Sequence, residues 1–218
     1  MKRILLACIT QASEQVHTKF VESLIQTLIS ASQQAIQITP LFIKSGKNWA
    51  MEANTAFAIA AENKFDGLVF VDPDATWSAD LFIDLCKTEK DAAAVPLATR
   101  GGFEISIGEI ARLQEDKSTG EIKVQSASLG FFYLSAYALE QLATTHPTIS
   151  YMGREIKLIL QSGDIYSNYH THEEVLAYRL RELGIEIWVN PNYTAFLNES
   201  IEYSSDFATI LSEMKDNG

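Results

Sequence analysis

The stretch from Phe65 to Trp77, Phe-Asp-Gly-Leu-Val-Phe-Val-Asp-Pro-Asp-Ala-Thr-Trp, constrains this chain more than any other. Its apolar run Leu68–Val71 is short, partly β-branched and preceded by Gly67, the pattern of a strand buried on both faces. Pro73 fixes its own φ, removes a ladder donor and biases Asp72 towards extended geometry, so the strand is expected to stop there. If the tripeptide stays extended, Asp72 and Asp74 lie two residues apart and project to one side. Two such charges about 4 Å apart repel by about 4 kcal/mol at an effective dielectric of about 20, so they need a proton or a cation. A hard divalent ion such as Mg²⁺ or Mn²⁺ takes oxygen ligands and keeps positions open for phosphate. The same residues also suit an ordinary turn: Val189-Asn190-Pro191-Asn192 closes another apolar run with amides in place of carboxylates.

Strand and helix signals alternate through the first half. Arg3–Ile9 has the pattern of a strand, followed by a polar loop from Thr10 to Val16. From Thr18 to Ser32 the apolar positions Phe20, Val21, Leu24, Ile25, Leu28 and Ile29 recur at helical spacing, with Lys19, Glu22, Ser23, Gln26 and Thr27 opposite. Ile36–Ile43 alternates like a strand and ends at the turn signal Lys44-Ser45-Gly46-Lys47, and Trp49–Asn63 is alanine-rich and helical. Ser78 is placed to cap a helix over Ala79–Lys87, and Ala92–Pro96 makes a fourth strand. This order predicts an α/β fold with a mostly parallel sheet flanked by helices, whose ligands bind beyond the carboxyl ends of the strands. Thr10, Lys44 and the Asp72/Asp74 pair all fall at those ends.

Beyond Pro96 the pattern weakens. A small hairpin with strands near Glu104–Ile107 and Glu121–Gln125, a strand over Gly130–Leu134 and a helix over Ala136–Thr144 are expected. Tyr151–Tyr169 is ambiguous, and part of it is expected to be a flap. Glu173–Leu183 reads as a helix stopped by Gly184, Glu186–Val189 as a last strand and Phe207–Met214 as a tail helix.

With 218 residues, 47% of them hydrophobic, the chain fits one domain over residues 1–218 with a full core. Met1-Lys2-Arg3 before Ile4–Ile9 imitates a signal peptide, but the apolar run soon gives way to Thr10, Gln11 and Ser13 and is better read as a first strand. No run reaches the length of a membrane span, and a cytoplasmic protein is expected, with Cys8 and Cys86 as small core residues rather than a disulfide. A net charge of −11 argues against nucleic acid or an anionic membrane as partner. A local phosphate site built from Lys44, Lys47, Arg100, Arg154 and Lys157 stays open, beside the plainer reading that these side chains are solvated.

Several segments, taken in order, resemble small glycosyltransferases of the GT-A fold, especially short bacterial and viral ones. Asp72-Pro73-Asp74 is similar to their Asp-x-Asp segment, and Pro96 and Arg100 follow at the spacing of a Tyr-Pro-x-Lys element. Ser128-Leu129-Gly130-Phe131-Phe132-Tyr133-Leu134 resembles their Gly-Phe strand, and His172-Glu173-Glu174 with Arg179, Gly184 and Ile187-Trp188-Val189 resembles their Glu-Asp helix and next strand. The resemblance implies transfer of a sugar from a nucleotide-sugar donor to an acceptor hydroxyl. It implies that Asp72 and Asp74 hold Mn²⁺ or Mg²⁺ on the donor diphosphate and that Glu173 or Glu174 is the base. Thr10 and Gln11 would lie against the nucleotide, Lys44, Asn54 and Arg100 would join the donor site, and residues 1–100 and 101–218 would form the donor and acceptor halves. Relatives often carry Ala-Arg-Asn where this chain has Glu52-Ala53-Asn54, and a histidine cation ligand where the nearest counterpart is Asn198.

For Glu173 and Glu174 the competing explanation is stabilisation of a helix N-terminus, and for Trp77, Phe131, Phe132 and Tyr133 it is core packing rather than stacking on a sugar. His170 and His172 form a His-x-His pair that would bind a transition metal only with a third ligand. Expected partners are a nucleotide sugar and a glycan or other hydroxyl acceptor, with modified DNA disfavoured by charge. The alternatives are a catalytically silent nucleotide-sugar or glycan-binding module and, with less support, a nucleotidyltransferase, which normally shows a Gly-rich loop that Thr10–Ser13 does not provide.

Overall fold

A computed structural model of the chain describes residues 1–11, 16–45, 48–99, 102–108, 113–161, 163–165, 168–197 and 207–216. The first half alternates as its periodicity requires. β1 (Lys2–Gln11), α1 (Thr18–Gln33), β2 (Ile36–Ser45), α2 (Trp49–Glu62) and β3 (Gly67–Val71) come in turn, then β4 (Ala75–Thr76), α3 (Ala79–Lys87) and β5 (Ala92–Ala94). Short strands follow: β6 (Leu97–Thr99), β7 (Gly102–Phe103), β8 (Ile105–Ser106), β9 (Ile122–Val124) and β10 (Ser126–Ala127). β11 (Phe131–Ser135) and α4 (Ala136–Thr145) precede two hairpins, β12 (Thr148–Tyr151) with β13 (Arg154–Lys157) and β14 (Gly163–Ile165) with β15 (Asn168–His170). The chain closes with α5 (His172–Glu182), β16 (Ile187–Val189), β17 (Ala195–Leu197) and α6 (Phe207–Asp216).

Seven strands form the central sheet in the order β2-β1-β3-β11-β5-β16-β9. β2, β1, β3, β5 and β16 point one way, and β11 and β9 run against them. A parallel neighbour needs a long crossover, usually a helix. The segment before β11 is instead made of short ribbons, and β11 enters antiparallel between β3 and β5.

Alternation along the strands feeds two cores. Ile4, Leu6, Cys8, Val69 and Val71 pack with α1 and α3, whereas Leu5, Ala7, Ile9, Leu68 and Phe70 pack with α2, α4 and α5. The result is a single α/β domain with a mostly parallel sheet covered on both faces. Both cysteines are buried free thiols. Among the described residues no helix is long and apolar enough to cross a membrane.

Two expectations are corrected. α1 is rotated from its expected orientation: Ser23 and Thr27 are buried, while Val21, Ile25 and Ile29 are exposed, because the two hydroxyls hydrogen-bond Trp77. The hairpin expected between 104–107 and 121–125 forms differently. β8 pairs with β10, while β9 joins the central sheet against β16. The segment 151–169 holds parts of two hairpins, with residues 162, 166 and 167 outside the described set. A four-stranded sheet in the order β4-β17-β6-β7, whose strands are too short to show periodicity, gathers the chain beyond the carboxyl ends of β3, β5 and β16.

Candidate active site

The Asp-Pro-Asp turn is the structural centre of the site. The Asp72 N–H donates to the Gly130 carbonyl at 2.7 Å, and the Ala75 N–H donates to the Asp72 carbonyl at 3.0 Å, closing a β-turn over residues 72–75. The Asp74 N–H donates to Asp72 Oδ1 at 2.8 Å. Of the two geometries the sequence allowed, the tripeptide takes the turn: Pro73 supplies its φ, and the Asp72 side chain folds back on the Asp74 amide. Both aspartates are half-buried. β11 can come this close because residue 130 is glycine; a Cβ there would lie 2.6 Å from Leu97 Cδ2 and 3.4 Å from the Asp72 Cβ. Trp77 anchors the other end of the turn. Its N–H donates to Ser23 Oγ at 3.2 Å and its indole Nε1–H to Thr27 Oγ1 at 2.9 Å, with the ring edge-on to Phe20 and Phe131.

A cavity of about 240 Å³ lies at the carboxyl ends of β1 and β3, and its walls include Ile9, Trp49, Asp72, Glu104, Gly130 and Glu173. Asp72 and Glu173, 101 positions apart in sequence, thus face one space.

α5 separates its two glutamates by position. Thr171 is the N-cap, its hydroxyl accepts the Glu174 N–H at 3.4 Å, and the Glu174 carboxylate accepts the Thr171 N–H at 2.9 Å. This reciprocal box satisfies two amides of the helix start and engages Glu174. Glu173, one residue earlier in the first turn, lines the cavity. The His172 ring stacks on Trp49, with centroids 5.8 Å apart and planes 17° apart, and its buried Nδ1 has no hydrogen-bond partner. The His170 side chain lies outside the described residues, and among those described no three His, Cys, Asp or Glu side chains are grouped to hold a metal ion.

The other expected site residues scatter. Thr10 and Lys44 are register neighbours at the ends of β1 and β2, half-buried and exposed respectively, and neither lines this cavity. Gln11 pairs in register with Ser45; its side chain, like residues Arg100 and Asn198, lies outside the described set. Asn54 does not face the cavity. It is fully buried, its Nδ2 donates to the Leu160 carbonyl at 2.9 Å, and its Oδ1 accepts the N–H groups of Ile159 at 3.1 Å and Leu160 at 2.7 Å. That amide ties α2 to the segment after β13. Glu52 is buried and accepts the Tyr151 hydroxyl at 3.0 Å, and Ala53, at the position aligned with the arginine, is buried in the core. Of the basic residues, Arg154 faces Glu62 at 3.7 Å and Lys157 lines a separate cavity beside α4, while residues 47 and 100 lie outside the described set.

Two wall residues were not anticipated. Glu104 sits between β7 and β8, held by its N–H to the Leu97 carbonyl at 3.1 Å and by the Ser128 N–H to its own carbonyl at 2.9 Å. Nothing local marks it. Trp49 opens α2 just after a strand end, where the rule for open α/β sheets already directs attention.

No model of a protein family matches the sequence, and no curated protein is similar to it in sequence. Solved structures are similar in fold. A197 from STIV superposes with a TM-score of 0.52 at 14% identity, over 89% of this chain and 84% of that one. TarS from S. aureus gives 0.49 at 13% identity, over 99% of this chain and 39% of that one. A mutant of the Drosophila β-1,4-galactosyltransferase 7 in complex with manganese, UDP-Gal and xylobiose gives 0.46 at 12% identity, over 88% of this chain and 66% of that one. The chain thus spans less than two thirds of the length of TarS and of the galactosyltransferase. At these identities the likeness is one of fold alone.

Proposed function

We propose that the chain is a glycosyltransferase that moves a sugar from a nucleotide-sugar donor to an acceptor hydroxyl. The observation that carries this reading is the shared cavity: a carboxylate on the Asp-Pro-Asp turn and a carboxylate on the first turn of α5 meet at the carboxyl end of a mostly parallel sheet. The GT-A-like fold supports it.

Asp72 would hold the donor diphosphate through Mn²⁺ or Mg²⁺, with Asp74 and Asn198 as further candidate ligands. The residues fit such an ion in kind: Asp72 is a hard oxygen donor on the cavity wall, and a small divalent cation commonly uses one or two carboxylates and completes its shell with substrate phosphate and water. When bound, it would neutralise charge on the departing diphosphate. Glu173 takes the proton of the acceptor hydroxyl as that oxygen attacks the anomeric carbon, and the nucleoside diphosphate leaves with the bonding pair. Trp49 and Gly130 shape the space between them. Thr10, Gln11, Lys44 and Arg100 are assigned to the donor from their places near the strand ends. Glu174 is assigned a structural role at the helix start.

The test is a thermal-shift series of purified protein against nucleoside diphosphates and nucleotide sugars, with Mn²⁺, with Mg²⁺ and with chelator. A ligand at 100 times its dissociation constant adds about 2.7 kcal/mol of stability. A cation-dependent rise with one nucleotide, followed by donor turnover in the presence of acceptor, is the expected result. A cation-dependent rise without turnover would favour the silent binding module, and no rise at millimolar donor would overturn the donor site.

A further inference from the structure

We propose that the outer flank of α1, together with the free edge of β2, docks a second copy of this chain as a twofold-symmetric dimer. The sequence already sets this face apart: from Ser23 to Ile43 there is no Asp, Glu, Lys, Arg or His, in a chain of which 21% is charged. Along α1, Val21, Ile25, Leu28 and Ser32 recur at i, i+4, i+7 and i+11, the spacing of a helix–helix seam. Packing within the chain leaves that seam open. Ser23 and Thr27 turn to Trp77 on the other side of the helix, so Val21, Ile25 and the adjoining Ile29 stay 40%, 49% and 51% exposed. β2 is the outermost strand of the central sheet, and its Phe42, 49% exposed, meets Phe20 edge-on with centroids 6.2 Å apart. Phe42 thus carries the apolar surface from the helix to the edge of the sheet.

The face fits a copy of itself. A twofold axis perpendicular to the sheet sets each α1 antiparallel to the other, with Ile25 of one copy opposite Leu28 of the other and Val21 opposite Ser32. The charged start of each helix, Lys19 and Glu22, then lies beside the uncharged end of the other, Gln33 and Gln34. Two chains of charge −11 repel each other, and this seam brings no like charges together. With α1 about 24 Å long and the helix and strand layers about 20 Å high together, each copy offers roughly 500 Å², and the pair buries about the 1,000 Å² at which specific interfaces begin. A dimer in the micromolar range follows. A membrane is the poorer occupant, because helices that lie on one line their polar face with Lys and Arg, and α1 has Lys19 alone. Strand-by-strand extension is disfavoured too: Pro40, in the middle of β2, removes a donor from its free edge, so association runs through side chains and stops at two copies. In this arrangement the carboxyl ends of the two sheets point in opposite directions, which leaves both Asp72 cavities open.

The experiment is sedimentation equilibrium of the purified full chain from low micromolar to submillimolar concentration, at low and at high salt. The 24.2 kDa chain should move towards twice its mass as concentration rises, and more readily at high salt, which screens the repulsion between copies and leaves the apolar contact intact. Ile25→Asp should weaken association at least about tenfold, because it places a carboxylate in the seam twice, with the thermal midpoint of the dilute protein unchanged. Ile29→Asp, beside the seam, gives the same readout if Ile25→Asp does not fold. Tyr137→Asp, at an equally exposed position on α4, should associate as wild type does. A chain that stays monomeric under every condition overturns the proposal, and does so equally if this face then binds phosphatidylcholine vesicles or a different protein. A dimer that both isoleucine variants leave intact, or that Tyr137→Asp weakens as much, overturns it as well.

Discussion

The indole Nε1–H of Trp77 donates to Thr27 Oγ1 at 2.9 Å, joining the end of the Asp-Pro-Asp turn to a buried threonine of α1 fifty residues earlier. The Thr27 hydroxyl in turn donates to the Ser23 carbonyl at 2.8 Å, while Ser23 Oγ accepts the Trp77 backbone N–H. Two polar residues on an apolar face thus hold the site's turn in place. Thr27→Val keeps the shape and orphans a buried indole N–H, which should cost about 1–3 kcal/mol. Urea unfolding of Thr27→Val against wild type checks this, and an unchanged midpoint would mean that the bond contributes nothing.

Asn54 makes three hydrogen bonds to the backbone of residues 159–160 from a fully buried position. Asn54→Ala should destabilise by about 3 kcal/mol or more, because it leaves a carbonyl and two amides without partners. Donor affinity, measured by calorimetry where the variant is still folded, should change little. A large loss of donor affinity with little loss of stability would return Asn54 to the donor site.

Glu173 and Glu174 should separate cleanly. Glu173→Gln should lower transfer by about a hundredfold or more, the usual scale for loss of a general base, with a melting temperature near wild type. Glu174→Ala breaks the capping box and should cost about 1 kcal/mol of stability, with a smaller effect on rate than Glu173→Gln. The reverse ranking in a turnover assay would exchange their roles.

Gly130→Ala places a methyl group 2.6 Å from Leu97 Cδ2, a contact that something must move to relieve. A cost of about 1–3 kcal/mol is expected, together with a weaker cation-dependent donor shift as the neighbouring Asp72 is displaced. Unfolding and thermal-shift series on one preparation test both parts, and a wild-type donor shift would show that β11 yields without disturbing the turn.

His146 follows α4, and burial pushes its pKa below the ordinary histidine value, against the opposing effect of its bond to the Leu142 carbonyl at 2.8 Å. Its folded pKa lies below its unfolded one, so the unfolded state takes up the proton first as pH falls. The stability this neutral ring contributes is present above the unfolded pKa, about 6.5, and is lost as pH falls through the folded value. Melting temperatures from pH 7.5 to 5 should fall less steeply in His146→Gln than in wild type; parallel curves would sink the assignment.

Much of the fold was legible because period and punctuation are local. The apolar run 68–71 with Pro73 after it gave β3 and its end, Ser78 gave the start of α3 as an N-cap accepting the Leu81 N–H at 3.3 Å, and Gly184 stands at a positive φ of 73° beyond α5. α1 misled because a hydroxyl's partner lies elsewhere in the chain: Ser23 and Thr27 read as surface until Trp77 is placed against them. Likewise β9 and β10 are separated by one residue yet join different sheets, a choice made by their partners β16 and β8.

For the site, the sequence by itself determined the strand end with its two carboxylates, the acidic first turn of the later helix and the sheet class that directs ligands to the strand ends. Each of those depends on a few neighbouring residues and on backbone sterics, so each can be read locally. Tertiary structure alone decided that Asp72 and Glu173 share one cavity, that Glu104 joins them, and that the Asn54 amide is engaged by the backbone of residues 159–160. Those outcomes depend on which buried polar atoms meet across 50 to 106 residues of chain, and the cost of leaving such atoms unpaired is settled only when the elements pack.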